Sequence, residues 1–289
     1  MKGIILAGGK GTRLYPITSV TTKSLLPIYN KPMIYYPLST LMLSGIRDIL
    51  IIATPEDSSK FKQLLGNGKN FGIKLTYEIQ FEPNGIAQAF IIGESFIGND
   101  DVCLILGDNI FYGKTLPKTL LKINKYIEKN NDAIIFGYSV NDPERYGVLE
   151  FNENNKVISI QEKPSKPKSN YAAVGLYFYK NDVIDIAKNI SPSSRGELEI
   201  TDINLEYLKQ NRLNAEIFDS VFWLDTGTHD SLVEASNFIR TVENREGKQV
   251  SCLEEIAYKY NYINRDKLKE LILTYNNDYG HYLKKLLNE

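Results

Sequence analysis

The chain has 289 residues, a length that suits a single α/β core with an appendage. Its 34 Lys and Arg residues nearly balance its 35 Asp and Glu residues, which gives a formal net charge of −1 at pH 7. This balance argues against a protein that coats nucleic acid, and it means that any anionic ligand must be held by a local cluster of cations.

The first half of the chain alternates short apolar runs with longer amphipathic stretches, the pattern of strands joined by crossover helices. The predicted strands are residues 2–7, 48–53, 74–79, 102–106 and 133–140. The predicted helices between them are residues 33–44, 58–65, 86–96 and 115–129. This order predicts an α/β fold with a doubly wound, mostly parallel sheet.

The second half begins with strands that lack intervening helices, which predicts a mixed or antiparallel extension of the same sheet. The predicted elements are strands at residues 146–151, 156–162 and 172–179, a helix near 199–210, a strand pair through 214–224 and a helix from about Ser231. The tail from Ser251 has helical apolar spacing throughout. We therefore predict a core over residues 1–230, divided near residue 140 into parts of about 1–140 and 141–230, and a C-terminal helical subdomain over residues 231–289.

No apolar run in the sequence reaches the roughly 18 to 20 residues that would cross a bilayer. The first residues lead directly into a buried-strand pattern, Gly3-Ile4-Ile5-Leu6-Ala7, where a secretory leader would need a longer apolar stretch and a cleavage site. The sequence thus predicts a cytoplasmic protein without a membrane partner.

Neither cysteine nor histidine chemistry is favoured. Cys103 lies inside an apolar run and Cys252 in a predicted helix, so both are interpreted as packing residues. His229 and His281 have no Cys or His partner at metal-ligand spacing, which argues against a zinc site.

A glycine-rich loop follows the first strand directly. Gly8, Gly9 and Gly11 come just after Leu6, and glycine lets backbone N–H groups approach an anion without obstruction by Cβ. A P-loop would need Gly-x-x-x-x-Gly-Lys-Ser/Thr, and a dinucleotide fingerprint would need a third glycine where Leu14 stands. The loop therefore predicts a phosphate site that belongs to neither of these two classes.

Two cations support that interpretation, because the same glycines would also suit a structural turn. Arg13 places a permanently charged fork beside the loop, and Lys23 adds a second cation ten residues further on. A triphosphate carries enough negative charge to engage both side chains.

Asp108 follows an apolar strand, and open α/β sheets bind ligands at the carboxyl ends of their strands. Asp108 is therefore a candidate ligand-binding residue. The alternative is that its carboxylate caps the following turn.

The glycine-rich segment resembles the signature of the sugar-phosphate nucleotidylyltransferase family. The matching residues are Leu6-Ala7-Gly8-Gly9-x-Gly11-Thr12-Arg13-Leu14-x-Pro16-x-Thr18, Lys23-x-Leu25-Leu26-Pro27 and Lys31-Pro32. The resemblance implies a Rossmann-like nucleotidyltransferase core in which backbone amides of the loop, together with Leu6 and Thr12, bind the triphosphate. It also implies that Arg13 holds the departing β- and γ-phosphates and that Lys23 reaches toward the α-phosphate.

Three further segments extend the resemblance. They are Gln80-Phe81-Glu82-Pro83-Asn84-Gly85-Ile86-Ala87-Gln88-Ala89, Leu106-Gly107-Asp108-Asn109-Ile110-Phe111 and Val221-Phe222-Trp223-Leu224-Asp225-Thr226-Gly227-Thr228. The resemblance implies that Gln80 reads the pyrimidine edge beside Pro83 and Gly85, and that Asp108 and Asp225 share the catalytic Mg²⁺. Two carboxylates with phosphate oxygens and water suit that hard, octahedral ion.

The resemblance also places the sugar phosphate in the strand-rich second half. The implied substrate-binding residues are Asn109, Tyr146, Gly147, Glu162, Lys163, Val174, Tyr177 and Asp225. Glu162 would accept hydrogen bonds from sugar hydroxyls and Lys163 would meet the phosphate. Adjacent residues of a strand point to opposite faces, so a bend before Pro164 is expected. Without the resemblance, an exposed Glu-Lys pair before a turn would be the simpler interpretation.

The implied reaction is attack of a sugar 1-phosphate oxygen on the α-phosphorus of the nucleotide, with pyrophosphate as leaving group. The implied catalytic residues are Arg13, Lys23, Asp108, Lys163 and Asp225. A phosphate monoester has a second pKa of about 6, so the nucleophile is already anionic and no general base is required.

Within the family, the chain resembles the short thymidylyltransferases through Ile110-Phe111-Tyr112-Gly113, Ser194-Arg195-Gly196-Glu197-Leu198-Glu199-Ile200-Thr201-Asp202 and Leu253-Glu254-Glu255-Ile256-Ala257-Tyr258. This implies dTTP and glucose 1-phosphate as substrates, a role in dTDP-rhamnose and lipopolysaccharide synthesis, and a homotetramer built as a dimer of dimers. A second, regulatory nucleotide site is implied near Tyr112-Gly113, although Lys114-Thr115 departs from the usual His-Asp.

Two alternatives remain open. One is a relative that uses UTP or another nucleotide or sugar 1-phosphate. The other is a non-catalytic sensor of nucleotide sugars, which the retained Arg13, Lys23, Asp108 and Asp225 disfavour.

Overall fold

The computed structural model describes residues 1–9 and 11–288. Its strands are β1 (Lys2–Leu6), β2 (Pro27–Ile28), β3 (Lys31–Pro32), β4 (Asp48–Ala53), β5 (Lys74–Ile79), β6 (Val102–Leu106), β7 (Asn109–Tyr112), β8 (Ala133–Ser139), β9 (Gly147–Phe151), β10 (Val157–Glu162), β11 (Tyr171–Tyr179), β12 (Leu213–Ile217) and β13 (Phe222–Asp225). Its α-helices are α1 (Tyr35–Leu43), α2 (Pro55–Leu65), α3 (Gln88–Ile92), α4 (Glu94–Ile97), α5 (Leu116–Lys129), α6 (Val183–Asn189), α7 (Ile200–Lys209), α8 (His229–Glu246), α9 (Leu253–Lys259), α10 (Arg265–Ile272) and α11 (Asp278–Leu286).

Within residues 1–9 and 11–288, nine strands form one mixed sheet, which confirms the predicted fold class. Along its main path the order is β10-β9-β11-β6-β1-β4-β5, with β8 beside β11 and β12 beside β8. The four strands β6, β1, β4 and β5 are parallel, and their apolar runs fit a sheet that is covered on both faces. Strand β1 lies inside the sheet, between β4 and β6. The loops that follow β1 and β6 therefore diverge around a crevice at the carboxyl ends of these strands.

The antiparallel extension begins at β11, which pairs with β6 through Leu176 opposite Ile105 and also pairs with β8 and β9. This agrees with the change of pattern near residue 146. The sequence did not predict that β8 would join the antiparallel part, because an apolar run looks the same in either orientation.

One predicted helix differs from the structure, and one helix of the structure was not predicted. The helix predicted over residues 86–96 is two short helices, α3 and α4, separated at Gly93, where a Cβ would lie 2.9 Å from both the Ala89 carbonyl oxygen and the Ile4 side chain. Helix α6 (Val183–Asn189) was not predicted, because its seven residues are too few for a clear periodicity.

The helical tail packs directly on the core. Leu253, Ala257, Leu268 and Leu283 lie in the same buried cluster as Ile5 of the central strand. Helix α8 begins after Thr228, whose hydroxyl accepts from the Ser231 backbone N–H in a capping box. The proposed boundary near residue 230 therefore separates two groups of elements that share one core, and residue 289 of the predicted subdomain lies outside the described residues.

Both cysteines are free and buried, as the packing interpretation predicted. Burial raises the pKa of the Cys103 and Cys252 thiols, which keeps them protonated at neutral pH. Within the described residues no helix is long and apolar enough to span a membrane.

Candidate active site

Two adjoining cavities open where the loops after β1, β5 and β6 diverge. The loop cavity, of about 420 Å³, is bordered by the glycine-rich loop and the segment after β5. The strand cavity, of about 410 Å³, is bordered by β9, β10, β11 and β13. Arg13, Ile86, Leu106 and Asp108 line both cavities. The two cavities are thus halves of one cleft, and Arg13 and Asp108 stand at their junction.

Most of the sequence-predicted site residues lie along this cleft. Those that line the loop cavity are Leu6, Gly9, Gly11, Thr12, Arg13, Lys23, Gln80, Pro83, Gly85 and Asp108. Those that line the strand cavity are Asn109, Tyr146, Gly147, Glu162, Lys163, Tyr177 and Asp225. The structure therefore separates the predicted nucleotide set from the predicted sugar set and joins them at Asp108.

Gly8 and Val174 are the two predicted residues that line neither cavity. A Cβ on Gly8 would lie 2.2 Å from the amide oxygen of Gln80, so glycine here lets the Gln80 side chain pack against the loop. Val174 is buried in the hydrophobic core, while its neighbours Ala173 and Gly175 face the strand cavity.

The glycine-rich loop turns at Gly11, which has φ = 60° and precedes a short 3₁₀ helix at Thr12–Leu14. The hydroxyl of Thr18 donates a hydrogen bond of 2.8 Å to the Gly11 carbonyl. A Cβ at Gly11 would lie 3.0 Å from the Thr18 side chain. This turn directs Arg13 to the junction of the two cavities.

Lys23 and Asp108 form the central ion pair of the cleft. The Lys23 ammonium lies 2.6 Å from Oδ2 of Asp108, and the two side chains are 10% and 30% exposed. Burial opposes ionisation of Asp108, but the positive charge and hydrogen bond of Lys23 outweigh it and hold the pKa of Asp108 below its ordinary value. The structure thus presents a charged carboxylate where the cavities meet.

Asn109 fixes the other oxygen of that carboxylate. Its amide oxygen accepts from the Gly175 backbone N–H at 3.1 Å and from the Trp223 indole N–H at 2.7 Å. Its amide nitrogen is thereby turned toward Asp108 and donates to Oδ1 at 2.8 Å. Thr226 also donates to the Asp108 carbonyl at 2.8 Å, so the end of β6 is tied to the segment after β13.

Asp225 is brought to the same cavity by the pairing of β13 with β7, in which it lies opposite Asn109. Its Oδ2 lies 3.3 Å from the Arg145 guanidinium and accepts a 3.4 Å hydrogen bond from Tyr146. No three His, Cys, Asp or Glu side chains converge as a metal site within residues 1–9 and 11–288. Asp108 and Asp225 both line the strand cavity, and two such carboxylates are a hard donor set that would leave other positions for phosphate and water.

Glu162 and Lys163 both face the strand cavity, because the chain bends at Lys163, whose φ is 41°. This bend before Pro164 was expected from the sequence. The Lys163 ammonium lies 3.6 Å from Oε1 of Glu162. Arg195 approaches the same oxygen at 3.2 Å, and Thr201 donates to the other oxygen at 2.6 Å.

The segment after β5 forms another wall of the loop cavity. Gln80 is buried, and its amide nitrogen donates to Gln88 at 2.7 Å. Gly85 has φ = 104°, and a Cβ there would lie 2.3 Å from the Leu198 carbonyl oxygen. Leu198 donates its backbone N–H to Asn84 at 2.7 Å, so this segment is bound to the chain before α7.

Several lining residues received no role from sequence reasoning. They are Arg145, Glu197, Thr201, Asn204 and Trp223. Glu197, Thr201 and Trp223 lie inside the family-like segments, so a signal was present although no function was assigned to them. Arg145 immediately precedes the Tyr146-Gly147 pair, and its approach to Asp225 depends on tertiary structure.

The sequence model of the nucleotidyl transferase family matches residues 2–242. The chain belongs to this family, as the resemblance of its motifs implied. It is 56% identical over 291 positions, covering all of both chains, to a glucose-1-phosphate thymidylyltransferase from Neisseria meningitidis serogroup A. It is 51% identical, with 99% of each chain covered, to the enzyme of the same name from Mycobacterium tuberculosis H37Rv.

Solved structures agree with this relationship. A Bacillus anthracis protein described as a candidate glucose-1-phosphate thymidylyltransferase, in complex with a sucrose, aligns with a TM-score of 0.77 at 46% identity over 83% of this chain and 95% of that one. A UDP-glucose pyrophosphorylase complexed with UDP-glucose aligns with a TM-score of 0.74 at 26% identity over 83% of this chain and 98% of that one. The nucleotidyltransferase fold is therefore common to relatives whose names specify different nucleotides.

Proposed function

We propose that the chain is a glucose-1-phosphate thymidylyltransferase, which transfers a thymidylyl group from dTTP to α-D-glucose 1-phosphate and releases pyrophosphate. One observation carries the proposal: two cavities of similar size meet at Arg13 and Asp108, beside the Lys23–Asp108 ion pair. A reaction between two phosphate esters needs such a junction, because the attacking oxygen must reach the α-phosphorus from the opposite cavity.

The loop cavity suits the nucleotide. Backbone groups of Gly9 and Gly11 are accessible to phosphate, and Arg13 and Lys23 supply two positive charges. Gln80 and Gly85 also line this cavity, where an amide and main-chain groups would face the base. The cavity thus offers cationic groups from Arg13 and Lys23 and neutral, hydrogen-bonding groups from Gln80 and Gly85.

The strand cavity suits the sugar phosphate. Glu162 can accept hydrogen bonds from sugar hydroxyls, since Thr201 and Arg195 hold its carboxylate in place. Lys163 lies on the same side and would meet the phosphate. We infer that this cation offsets the repulsion between the incoming phosphate and the triphosphate.

Asp108 and Asp225 would hold a divalent metal ion, for which we propose Mg²⁺. When bound, this ion neutralises charge on the phosphates that react. The chain's own contribution is positioning: Lys23 is held by Asp108, and Arg13 lies at the junction where pyrophosphate departs. No general base is needed, because the sugar phosphate is already anionic near neutral pH with a second pKa of about 6.

A comparison of nucleotides tests the proposal. Pyrophosphate release is measured with glucose 1-phosphate and each of dTTP, UTP, ATP, CTP and GTP, with Mg²⁺ and with excess chelator. We expect dTTP to give the highest kcat/KM and the chelator to abolish turnover. Equal or better turnover with UTP would instead support the alternative suggested by the UDP-glucose pyrophosphorylase neighbour. Binding without turnover for every nucleotide would support a sensor.

We further infer a cytoplasmic homotetramer, a dimer of dimers, that supplies dTDP-rhamnose and lipopolysaccharide synthesis. The inference is supported by full-length identity to relatives with the thymidylyltransferase name. Light scattering after size-exclusion chromatography tests the assembly. Adding dTDP-rhamnose to the assay tests the regulatory site inferred near Tyr112-Gly113, and flat activity up to millimolar concentrations would contradict it.

A further inference from the structure

Arg145 occupies a position between two carboxylates at the rim of the strand cavity. It ends a short 3₁₀ helix at Pro143–Arg145, one residue before β9, and its guanidinium lies 5.3 Å from the centre of the Tyr146 ring. One terminal nitrogen donates to Asp142 at 2.5 Å, and the other approaches Asp225 at 3.3 Å. The guanidinium is therefore anchored on one side and loosely attached on the other.

The difference between the two contacts has a physical consequence. A charge-assisted hydrogen bond is strong when it is short, so the Asp142 contact is the stronger one. The only other hydrogen bond to the Asp225 carboxylate within the described residues is the 3.4 Å contact from Tyr146. A divalent cation that approached Asp225 would displace both long contacts and leave the Asp142 anchor intact.

We propose that Arg145 is a latch, a cation that changes its anionic partner. Its guanidinium pairs with Asp225 in the free protein, and it would bind the sugar phosphate once a metal ion binds Asp225. This inference rests on the proposed function. The displaced guanidinium would remain in the strand cavity, which it lines together with Lys163 and Tyr177. Its planar fork suits a phosphate group better than a single ammonium does.

The latch makes metal and sugar phosphate bind cooperatively. Without the sugar phosphate, the metal ion must compete with Arg145 for Asp225. With the sugar phosphate bound, the Arg145 guanidinium would have another anionic partner. It would then no longer compete with the metal ion for Asp225. By linkage, each ligand then strengthens the other by the same factor. Arg145 is thus a binding residue for the sugar phosphate, and its removal affects the two ligands in opposite directions.

Arg145→Ala tests the latch through direct binding. Mn²⁺ is the probe, and the free ion is counted by electron paramagnetic resonance with the full-length protein, with and without glucose 1-phosphate. We expect the variant to bind Mn²⁺ about two- to five-fold more tightly than the natural protein in the absence of sugar phosphate, the factor appropriate to a partly exposed ion pair. Calorimetry should show weaker binding of glucose 1-phosphate in the presence of Mn²⁺.

Arg47→Ala is the matched control, because Arg47 also stacks on a tyrosine, Tyr262, at 4.8 Å but lies outside the cleft. It should leave both affinities unchanged. A merely structural role for Arg145 cannot explain a gain in metal affinity. Unchanged or weaker Mn²⁺ binding by free Arg145→Ala would overturn the latch, whereas a natural protein that lacks turnover with dTTP would overturn the proposed function instead.

Discussion

The ammonium of Lys23 lies 2.6 Å from the carboxylate of Asp108, across 85 positions of sequence and at the junction of the two cavities. This ion pair joins the segment after the glycine-rich loop to the end of β6. A ligand phosphate that enters the junction would meet the Lys23 cation, and a metal ion would meet the Asp108 anion. Lys23 and Asp108 therefore neutralise each other in the free protein, and each can bind a ligand group of opposite charge.

Lys23→Ala should lower kcat by about 100- to 1,000-fold, the range found when one charge-stabilising donor is removed from a reaction centre. Initial rates of pyrophosphate release at saturating dTTP and glucose 1-phosphate measure the effect. Lys60→Ala is the control, because it removes a lysine that pairs with Asp57 at 2.8 Å outside the cleft. Near-normal kcat in purified Lys23→Ala, with the control also normal, would remove Lys23 from the reaction.

The same pair predicts a pH dependence of stability. Lys23 holds the pKa of Asp108 below its ordinary value, so its stabilising contribution is complete above the unfolded-state pKa of about 3.9 and is lost as the pH falls through the lower folded-state pKa. In Lys23→Met, the pKa of Asp108 would be set only by its burial and by its remaining hydrogen bonds. Burial favours the neutral form of this carboxyl group. The natural protein should therefore exceed Lys23→Met in stability most at neutral pH, with the difference shrinking below about pH 4.

Urea midpoints between pH 7 and pH 3.5 measure this difference. Lys60→Met, at the part-buried pair with Asp57 outside the cleft, serves as the control for loss of a lysine charge. A difference between the natural protein and Lys23→Met that grows as the pH falls would have the wrong sign for this pair.

Much of the fold could be predicted because the parallel strands are continuous apolar runs and the glycine-rich loop follows one of them directly. Pairing direction could not be predicted, since β8 and β11 carry the same kind of apolar pattern as the parallel strands. The break at Gly93 also depends on tertiary contact: the backbone there packs against Ile4 of another element.

In the site, too, residues of contiguous motifs could be predicted and residues placed by tertiary contact could not. Residues in contiguous motifs, such as Arg13, Lys23 and Asp108, could be assigned from their order along the chain. Thr201 and Arg145 act on carboxylates 39 and 80 positions away, so their contacts exist only after folding. Sequence spacing carries no information about such approaches unless the family is known.

Gly85→Ala should affect both stability and nucleotide binding. Its φ of 104° is unfavourable for alanine, and the new Cβ would lie 2.3 Å from the Leu198 carbonyl oxygen. We expect a loss of more than about 2 kcal/mol in the free energy of unfolding, since strain and overlap add. The KM for dTTP should rise, because the displaced segment lines the loop cavity.

Gly247→Ala separates strain from overlap. Gly247 ends α8 with φ = 64°, and nothing lies within 4 Å of its Cβ position. It should cost about 1–2 kcal/mol for the left-handed conformation alone and leave the KM for dTTP unchanged. Urea denaturation and steady-state kinetics give both quantities. Equal losses in the two variants would show that contact with Leu198 is unimportant.

A buried ion pair ties the β2–β3 hairpin to the end of α8. The Lys31 ammonium lies 2.8 Å from Glu243, with the two side chains only 3% and 6% exposed, and the Val250 backbone N–H donates to the same Glu243 oxygen at 2.9 Å. Lys31→Met should cost about 3–5 kcal/mol in the free energy of unfolding, because it leaves a carboxylate buried without its partner.

The double variant Lys31→Met/Glu243→Leu provides the comparison. With both charges removed it should recover much of the lost stability, since replacing a buried pair by apolar groups is often neutral. Chemical denaturation of the natural protein and the variants measures the recovery. A double variant less stable than Lys31→Met would show that the hydrogen bonds that Glu243 accepts from Val250 and Asn30, rather than charge pairing, dominate.

Asn109→Asp tests how the amide orients Asp108. The change preserves shape and keeps an oxygen to accept from Gly175 and Trp223, but it replaces the nitrogen that donates to Asp108 with a second oxygen. Two carboxylates about 3 Å apart cannot both ionise easily, so the coupled pair would bind a proton near neutral pH. We expect kcat/KM at pH 7 to fall by about 100-fold or more, as for the loss of a charge-stabilising donor.

Activity of Asn109→Asp should recover partly as the pH rises, because the pair then loses its shared proton, whereas the natural protein should show no such dependence on this pair. Asn124→Asp is the matched control: the Asn124 amide donates to the Ser44 carbonyl at 2.9 Å, away from the cleft, so the change should lower stability without altering the pH profile. The pH dependence of kcat/KM from pH 6 to 9 distinguishes the two. A flat, nearly normal profile for Asn109→Asp would mean that the donor to Asp108 is dispensable and that Lys23 alone sets the state of the carboxylate.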